Sequence, residues 1–405
     1  MGRSPFNTLK RRRLSLGLAA GAVFTILLHI RSITVPRPIS APTYAPEDPK
    51  GRSFVQTRYR EDAGAIARLL AAWPEDKPRA AIFVLARNQE AMGVVQSLKE
   101  LEATFNGNVS AMYPYVIVNN GDFSPSFMQV VERSVAGRCF FGKVPQEHWS
   151  YPAHVSAEAA AKARAQQAAA NVFHGELESY HFMCRYFSGF FMHHPLLRGF
   201  DYYWRVEPSV HFYCHLQQDP FLTMQSKQAA YGWNIVRLEL MSTIPSLWST
   251  VFQFLRDNAT LLHPNNGLAS VAPGFSRVSV TDLRVTEHTV PYTGCHYWSN
   301  FEIGSLAFFR SEAYQAFFAA LERSGGFFYE RWGDAPVHSL AALALLDARA
   351  AIHFFDDIGY RHDDAMHCPQ APDAVRHCSC MPAVDFNQHQ SYCKSLQRQA
   401  GLLGQ

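Results

Sequence analysis

Short apolar segments that alternate with amphipathic helices dominate the sequence from residue 80 onward, and this pattern limits the fold. Ala80–Leu85 is a continuous apolar run, as expected for a buried parallel strand. Residues 90–105 carry apolar side chains at helical spacing, and residues 115–118 form a second apolar run. Because strands that alternate with helices build a mainly parallel sheet covered on both faces, the sequence predicts an α/β fold.

The flanking segments extend this pattern. Residues 60–73 are predicted to be helical, and residues 139–141 are predicted to form a third strand. Ser124 is predicted to cap a helix that has Pro125 in its first turn. The sequence has neither a Gly-x-Gly-x-x-Gly motif after the first strand nor a P-loop, so a dinucleotide dehydrogenase or a P-loop kinase is unsupported.

The N-terminal charge pattern predicts a membrane anchor. The net charge of +3 gives no electrostatic case for nucleic-acid binding, and residues 11–13 are three consecutive arginines. Residues 14–30 are uncharged and mostly apolar, at the short end of the roughly 17–25 residues that a spanning helix needs. By the positive-inside rule the N-terminus stays cytoplasmic. The alternative is a signal peptide cleaved near the small residues 19–22.

These features predict four regions. They are a cytoplasmic tail at 1–13, a transmembrane signal-anchor at 14–30, a stem at 31–78 that is rich in proline up to about residue 49, and a lumenal catalytic domain at 79–405.

The cysteines fit an oxidising lumen. Of the eight cysteines, four lie in the last 40 residues beside His367 and His377. Disulfides are the favoured interpretation and zinc is the alternative, because the spacing fits no standard zinc module. Asn108 and Asn258 each begin an Asn-x-Ser/Thr triplet, which is an acceptor for N-glycosylation if it is exposed.

Glu207 is a candidate site residue because it follows an aromatic, apolar strand and precedes Pro208. Ligands of open α/β sheets bind just beyond the carboxyl ends of the strands. A carboxylate at that place suits a hard cation that works on a nucleotide diphosphate. The alternative is a carboxylate that caps a neighbouring turn.

Three other ionisable residues are candidates. Glu302 sits among aromatic residues, and a buried glutamate is usually paired or functional. Glycosyl transfer can use such a carboxylate at the reacting carbon, whereas the alternative is a structural glutamate bonded to backbone amides. Asp334 is predicted as a helix N-cap, a role compatible with substrate binding. His362 is predicted to lie in a loop after a strand that begins near Ile352, and a lone histidine is more often structural than a ligand.

Taken together, these segments resemble the fungal α-1,2-mannosyltransferases of the killer-toxin-resistance type, glycosyltransferase family 15. The resemblance covers roughly residues 79–393. It rests on six strings: LARN at 85–88, PQEHWSYP at 145–152, MCRYFSGFF at 183–191, YWRVEP at 203–208, WSNFEI at 298–303 and ERWGDAPVHS at 330–339.

The resemblance implies a GT-A-like mixed, mainly parallel sheet flanked by helices, in a type II Golgi membrane protein. It implies a retaining α-1,2-mannosyltransferase that uses GDP-mannose and Mn²⁺ and that extends mannose residues of N- or O-linked glycans of cell-wall mannoproteins. The implied roles are metal binding by Glu207 and His362, nucleophilic or charge-stabilising action by Glu302, a further catalytic carboxylate at Asp334, and a donor and acceptor pocket at Tyr180, Arg205 and Glu207.

Two features depart from the family pattern. The family usually has Glu-Pro-Asp where this chain has Glu207, Pro208 and Ser209. If that aspartate contacts the metal or the ribose, the serine weakens the site, and the alternative function is a catalytically weakened Golgi protein that binds glycans or partners. Residues 275–291 look like an insertion that could reshape the acceptor side.

Overall fold

A computed structural model of the chain describes residues 49–108 and 112–403. The predicted tail, the predicted anchor and the first part of the predicted stem lie outside these residues. Within the part that is described, no helix is both long and apolar enough to cross a bilayer. The residues from Arg52 onward form one compact unit.

Twelve strands are present in the described chain, and seven of them form the central sheet. The strands are β1 (Ala80–Leu85), β2 (Tyr115–Asn119), β3 (Cys139–Lys143), β4 (Tyr202–Arg205), β5 (His211–Phe212), β6 (Tyr231–Trp233), β7 (Val236–Leu238), β8 (Cys295–Tyr297), β9 (Glu302–Ser305), β10 (Ile352–Phe354), β11 (Tyr360–His362) and β12 (Ala365–His367). The order in the central sheet is β10-β6-β9-β4-β1-β2-β3. Only β9 pairs antiparallel with its neighbours, so the sheet is mixed and mainly parallel, as predicted.

Helices precede or follow most of these strands. They are α1 (Pro49–Ala71), α2 (Ala91–Thr104), α3 (Pro125–Ser134), α4 (Ala157–Ala169), α5 (Glu178–Gly189), α6 (Pro220–Ser226), α7 (Leu247–Asp257), α8 (Leu306–Arg310), α9 (Glu312–Ser324), α10 (Gly326–Tyr329), α11 (Asp334–Leu345), α12 (Pro372–Val375), α13 (Phe386–His389) and α14 (Ser391–Gln399).

The central sheet is buried on both faces, which explains its apolar strands. Along β1, Ala81 and Phe83 face one hydrophobic cluster, whereas Ala80, Ile82 and Val84 face the other. Successive side chains of a strand point to opposite faces, so a strand covered on both faces needs apolar residues at every position.

Helix α1 is longer than predicted and packs on the sheet. It spans Pro49–Ala71, and its Val55 and Ile66 are buried. The Oδ2 atom of Asp62 accepts a hydrogen bond of 2.8 Å from the backbone N–H of Phe141 in β3. The packed part of the chain therefore extends into the segment that the sequence assigned to the stem.

Three local predictions have clear outcomes. Ser124 caps α3 as predicted, because its Oγ accepts a hydrogen bond of 3.1 Å from the N–H of Phe127. The prediction that Asp334 is an N-cap is wrong, since Gly333 occupies that position and Asp334 is the first residue of α11. The predicted loop at His362 is also wrong, because this residue ends strand β11.

Small sheets and disulfides organise the C-terminal part. Strand β11 pairs antiparallel with β5 and β12, and β7 pairs with β8. The predicted disulfides are confirmed and involve all four cysteines of the tail, whereas Cys139 and Cys184 are buried free thiols. The pairs are Cys214–Cys378, Cys295–Cys393 and Cys368–Cys380.

Residues 275–291 pack onto α7. The Nη2 atom of Arg256 donates a hydrogen bond of 3.0 Å to the carbonyl of Asp282. The indole N–H of Trp248 donates one of 2.8 Å to the carbonyl of Val290. Val278 and Val280 of this segment do not form a strand, because Arg277–Val280 is a 3₁₀ turn.

Candidate active site

Arg205 is the centre of a buried polar cluster at the carboxyl end of β4. Its side chain is only 3% exposed, and its Nε donates a hydrogen bond of 2.6 Å to Oε1 of Glu207. Its Nη1 donates to Oδ2 of Asp334 and, at 3.4 Å, to the hydroxyl of Ser299. The guanidinium lies 3.6 Å from the ring centroid of Phe187. One buried guanidinium therefore holds two carboxylates in place.

Asp334 is kept ionised by its surroundings. Burial alone would raise the pKa of Asp334, but the positive charge of Arg205 and the hydrogen bonds outweigh burial, so this pKa is lowered. The Ser299 hydroxyl donates a hydrogen bond of 2.6 Å to Oδ2 of Asp334. The position of Asp334 in the first turn of α11 also favours a negative charge.

Glu302 lies opposite Arg205 on the neighbouring strand and is fully buried. The antiparallel register of β4 and β9 pairs these two residues directly. One oxygen of Glu302 accepts a hydrogen bond from the hydroxyl of Tyr203, and the other lies 2.7 Å from Nδ1 of His338. The Nε2 atom of His338 is 2.9 Å from the carbonyl of Phe187. Both oxygens of Glu302 thus have a partner inside the protein.

His338 and Glu302 form a buried ion pair. Burial alone would lower the pKa of His338, but the charge and hydrogen bond of Glu302 outweigh burial, so the pKa of His338 is raised. Both ring nitrogens face acceptors, which the imidazolium form satisfies with its two N–H groups.

The charges of this cluster favour a cation. The pair of Glu302 and His338 is neutral, and Arg205 offsets only one of the two carboxylates that it binds, Glu207 and Asp334. One negative charge remains. A divalent cation bound here would offset this charge and reduce its repulsion of a nucleotide diphosphate.

His362 comes to this region through the pairing of β5 and β11. The register pairs Arg361 with His211 and Tyr360 with Phe212, so His362 continues the ladder towards Glu207. The Glu207 charge contributes to raising the pKa of the Tyr360 hydroxyl, although burial is the larger cause. Glu207 lies in the segment between β4 and β5, and β5 pairs with the strand that ends at His362, so this pairing brings the two predicted metal ligands towards each other.

The side chains of Glu207 and His362 are suited to hold a metal ion. They are 12% and 18% exposed, respectively. Nδ1 of His362 lies 2.7 Å from Nδ2 of Asn300, and the ring stacks on Trp298. If the Asn300 amide is turned by half a rotation, its oxygen accepts the Nδ1 proton and Nε2 is free to bind a metal. Carboxylate and imidazole donors are ligands that Mn²⁺ accepts.

Tyr180 lies beside a second buried arginine. The Nη1 atom of Arg331 donates a hydrogen bond of 3.3 Å to the hydroxyl of Tyr180. Its Nη2 donates hydrogen bonds of 3.1 Å to Glu239 and to Thr243. The charge of Asp334 acts on the Tyr180 hydroxyl, so Tyr180 lies near the cluster, and its role as a pocket residue stays a prediction.

Backbone strain is concentrated around the same region. Among the described residues, five non-glycine residues have a positive φ, and they include Ser209 (64°), Asp363 (49°) and His174 (59°). Ser209 is two residues after Glu207, Asp363 follows His362, and the charge of Asp363 acts on His174. Such conformations cost free energy and are often found at binding sites.

Ser209, the departure from the family pattern, packs against α2. Its N–H donates a hydrogen bond of 3.1 Å to the carbonyl of Gly93. A Cβ atom at Gly93 would lie 2.4 Å from Oγ of Ser209 and 3.1 Å from its nitrogen. Its left-handed conformation is one that aspartate and asparagine adopt more readily than serine.

The sequence found most of this cluster. Arg205, Glu207, Asp334 and Glu302 meet as direct or cross-strand neighbours. Three contacts were missed, and they come from Ser299, His338 and Tyr203. All three residues lie inside the strings that carry the family resemblance. Membership of those strings was the only sequence signal that could have identified them.

Comparison with known proteins gives matches over most of the chain. A family model described as "Glycolipid 2-alpha-mannosyltransferase" matches residues 50–398. The chain is 41% identical over 317 residues to O-glycoside alpha-1,2-mannosyltransferase omh1 of Schizosaccharomyces pombe, which covers 78% of this chain and 77% of that protein.

Two solved structures have a similar fold. Core-mannan synthase A (CmsA/Ktr4) from Aspergillus fumigatus, crystallised in a Mn/GDP form, is 35% identical, with a TM-score of 0.73 over 81% of this chain and 86% of that chain. The mannosyltransferase Ktr4p from Saccharomyces cerevisiae in complex with GDP is 28% identical, with a TM-score of 0.72 over 87% and 98%.

Proposed function

The chain belongs to the glycolipid 2-alpha-mannosyltransferase family, glycosyltransferase family 15, and we propose that it transfers mannose from GDP-mannose to a mannosylated glycan. The product has an α-1,2 linkage, and the configuration at the anomeric carbon is retained. Relatives named as α-1,2-mannosyltransferases and the GDP-containing structures support the donor and the linkage.

The observation that carries this proposal is the buried cluster at the end of β4. Arg205 binds Glu207 and Asp334 at the sheet edge where ligands of parallel sheets bind. The unbalanced negative charge calls for a divalent cation, and a similar structure was crystallised with manganese and GDP.

Glu207 and His362 would hold Mn²⁺. The bound ion supplies positive charge that offsets the charge building on the departing diphosphate. The protein supplies the rigid support, because Arg205 fixes one oxygen of Glu207 and Trp298 stacks on His362.

The two carboxylates that the resemblance assigns to catalysis have different tasks. The Asp334 side chain is 7% exposed, and Arg205 and Ser299 both bond to its Oδ2 atom. Its other carboxylate oxygen is therefore placed to contact the sugar. Glu302 has no exposed surface and its charge is balanced by His338, so we assign it a positioning role behind Arg205, its partner across the two strands, rather than contact with the sugar. Tyr203 and His338 hold Glu302 in position.

The test is a transfer assay with the purified full-length chain, GDP-mannose, MnCl₂ and methyl α-mannoside, with product linkage analysed by NMR. We expect an α-1,2-linked product only when Mn²⁺ is present. Glu207→Gln should abolish Mn²⁺-dependent GDP binding in calorimetry. Glu158→Gln, a change at an exposed residue of α4, is the matched control and should change nothing.

Two results would contradict the proposal. One is full turnover in Glu207→Gln with unchanged manganese dependence. The other is faster transfer from a different sugar nucleotide in a donor screen.

We also propose that the chain is a single-pass type II protein of the Golgi membrane with a lumenal catalytic domain. The support is the arginine cluster before residues 14–30 and the three disulfides, which suit an oxidising compartment. Protease protection of a C-terminal tag in sealed vesicles tests this placement, and digestion of the tag without detergent would contradict it.

The acceptor is proposed to be a terminal mannose of an N- or O-linked glycan of a cell-wall mannoprotein. The names of two relatives refer to O-glycosides and to glycolipids. A panel of N-linked, O-linked and glycolipid acceptors therefore distinguishes the possible acceptors of this chain. Transfer to the glycolipid alone would exclude the protein-linked acceptors.

A further inference from the structure

A cavity of about 490 Å³ lies at the end of helix α7 and is separate from the polar cluster around Arg205. Its lining combines α7 with Glu287 of the 275–291 segment and Arg323 of α9. Sites for drug-sized ligands have volumes of about 300–1,000 Å³, so this cavity can hold one or two sugar units.

The lining of the cavity is polar. Ser249, Thr250 and Gln253 contribute hydrogen-bonding side chains. The Nε atom of Arg256 is buried and has no hydrogen-bond partner among the described residues. Because this atom has almost no exposed surface, a ligand in the cavity cannot reach it, whereas the exposed guanidinium of Arg323 in the cavity wall is a donor that a sugar carbonyl can reach.

Asn258 lines the same cavity and begins the triplet Asn258-Ala259-Thr260. It directly follows α7, and its side chain is half-buried, whereas Thr260 is exposed. The triplet has the composition of an N-glycosylation acceptor. Three disulfides in the described chain independently indicate passage through an oxidising compartment, where this modification takes place.

We infer that Asn258 carries an N-linked glycan whose first sugar units occupy this cavity. The inference rests on the lumenal placement proposed above and does not depend on the transferase activity. It commits the cavity to the glycan of the chain itself, and the exposed guanidinium of Arg323 is the donor suited to the N-acetyl carbonyl of the first sugar.

The chemistry of attachment is compatible with the observed side-chain contact. The Nδ2 atom of Asn258 donates a hydrogen bond of 3.0 Å to the carbonyl of Phe254 and has two hydrogens. During attachment Nδ2 bonds to the anomeric carbon of a lipid-diphosphate-linked oligosaccharide, one proton leaves Nδ2, and the lipid diphosphate departs with the electron pair of its C–O bond. The remaining N–H can keep the bond to Phe254.

The test is peptide mapping of the full-length chain expressed through the secretory pathway. Denatured protein is treated with PNGase F in heavy-oxygen water, which labels each formerly glycosylated asparagine as aspartate. We expect the label at position 258. Thr260→Ala should abolish that label without changing Asn258 itself, and Thr260→Ser should keep it.

A second measurement tests the seating of the glycan. Native protein should release the Asn258 glycan more slowly than denatured protein, and Arg323→Ala, at an exposed residue of the cavity wall, should speed native release. Equal release rates for native and denatured protein would refute the seating in the cavity.

The outcomes also separate this inference from the proposed placement. A chain with intact disulfides on non-reducing gels but no label at 258 would refute the glycan and leave the lumenal placement standing. A chain with all cysteines reactive to maleimide would overturn the placement and the glycan together. A label confined to Asn108 would refute the glycan at Asn258.

Discussion

Replacing His338 by leucine should strongly destabilise the protein because it leaves Glu302 charged and without its main partner. Glu302 has no exposed surface, and its two oxygens are bonded by Tyr203 and His338. Removing one member of a buried ion pair typically costs about 3–5 kcal/mol of unfolding free energy. Urea unfolding followed by tryptophan fluorescence measures this cost.

The partner substitution should have a smaller effect. In Glu302→Gln the amide can accept the Tyr203 hydroxyl bond and donate to Nδ1 of a neutral His338. Only the charge component of the hydrogen bond is lost, so we expect a cost of about 1 kcal/mol.

The double variant decides the argument. Glu302→Gln in the His338→Leu background removes the uncompensated charge, so the double variant should be more stable than His338→Leu alone. The control is His181→Leu, at a buried histidine whose ring nitrogens face only the carbonyls of Phe327 and Gly175. In the His181→Leu background, Glu302→Gln should lower the unfolding free energy by the same amount as it does in wild type. If Glu302→Gln lowers the unfolding free energy in the His338→Leu background by as much as it does in wild type, the ion-pair interpretation is refuted.

Three further predictions follow from the same contacts. Because the pKa of His338 is raised on folding, its stabilisation is complete below the ordinary pKa of about 6.5 and is lost as pH rises through the raised value; the difference in unfolding free energy between wild type and His338→Leu should therefore shrink above that pH. Gly93→Ala should cost about 1–3 kcal/mol and weaken manganese binding in calorimetry, because its Cβ would clash with Ser209 next to the Glu207 turn. Ser299→Ala removes a donor to Asp334, so transfer kinetics should show a lower kcat while calorimetric GDP affinity is unchanged.

The predictable parts of the site were those set by local sequence. Glu207 could be placed near the ligand-binding edge because it follows closely on an apolar strand, which the structure ends at Arg205, and its metal-binding role stays a prediction. The cap at Ser124 could be predicted because it depends only on the next three residues.

The remaining parts depend on contacts between distant segments. The pairing of Arg205 with Glu302 requires the position of β9 between β4 and β6, which no local pattern specifies. Asp334 was assigned as a cap because the residue type and the helix boundary suited one. The buried Arg205 instead binds this carboxylate, so the side chain is directed across the sheet rather than to its own backbone.

With Mn²⁺ held by Glu207 and His362 as proposed, the short pairing of β5 with β11 would link ion affinity to the integrity of the C-terminal segment. The strand that follows Glu207 pairs with the strand that ends at His362, and Cys214–Cys378 joins the residues just beyond β5 to the tail. Thermodynamic linkage then requires that a change which stabilises the C-terminal segment also raises the affinity for the ion. Binding of the ion stabilises the segment by the same coupling free energy. A protein loaded with manganese should therefore resist reduction of this disulfide longer than the metal-free protein does.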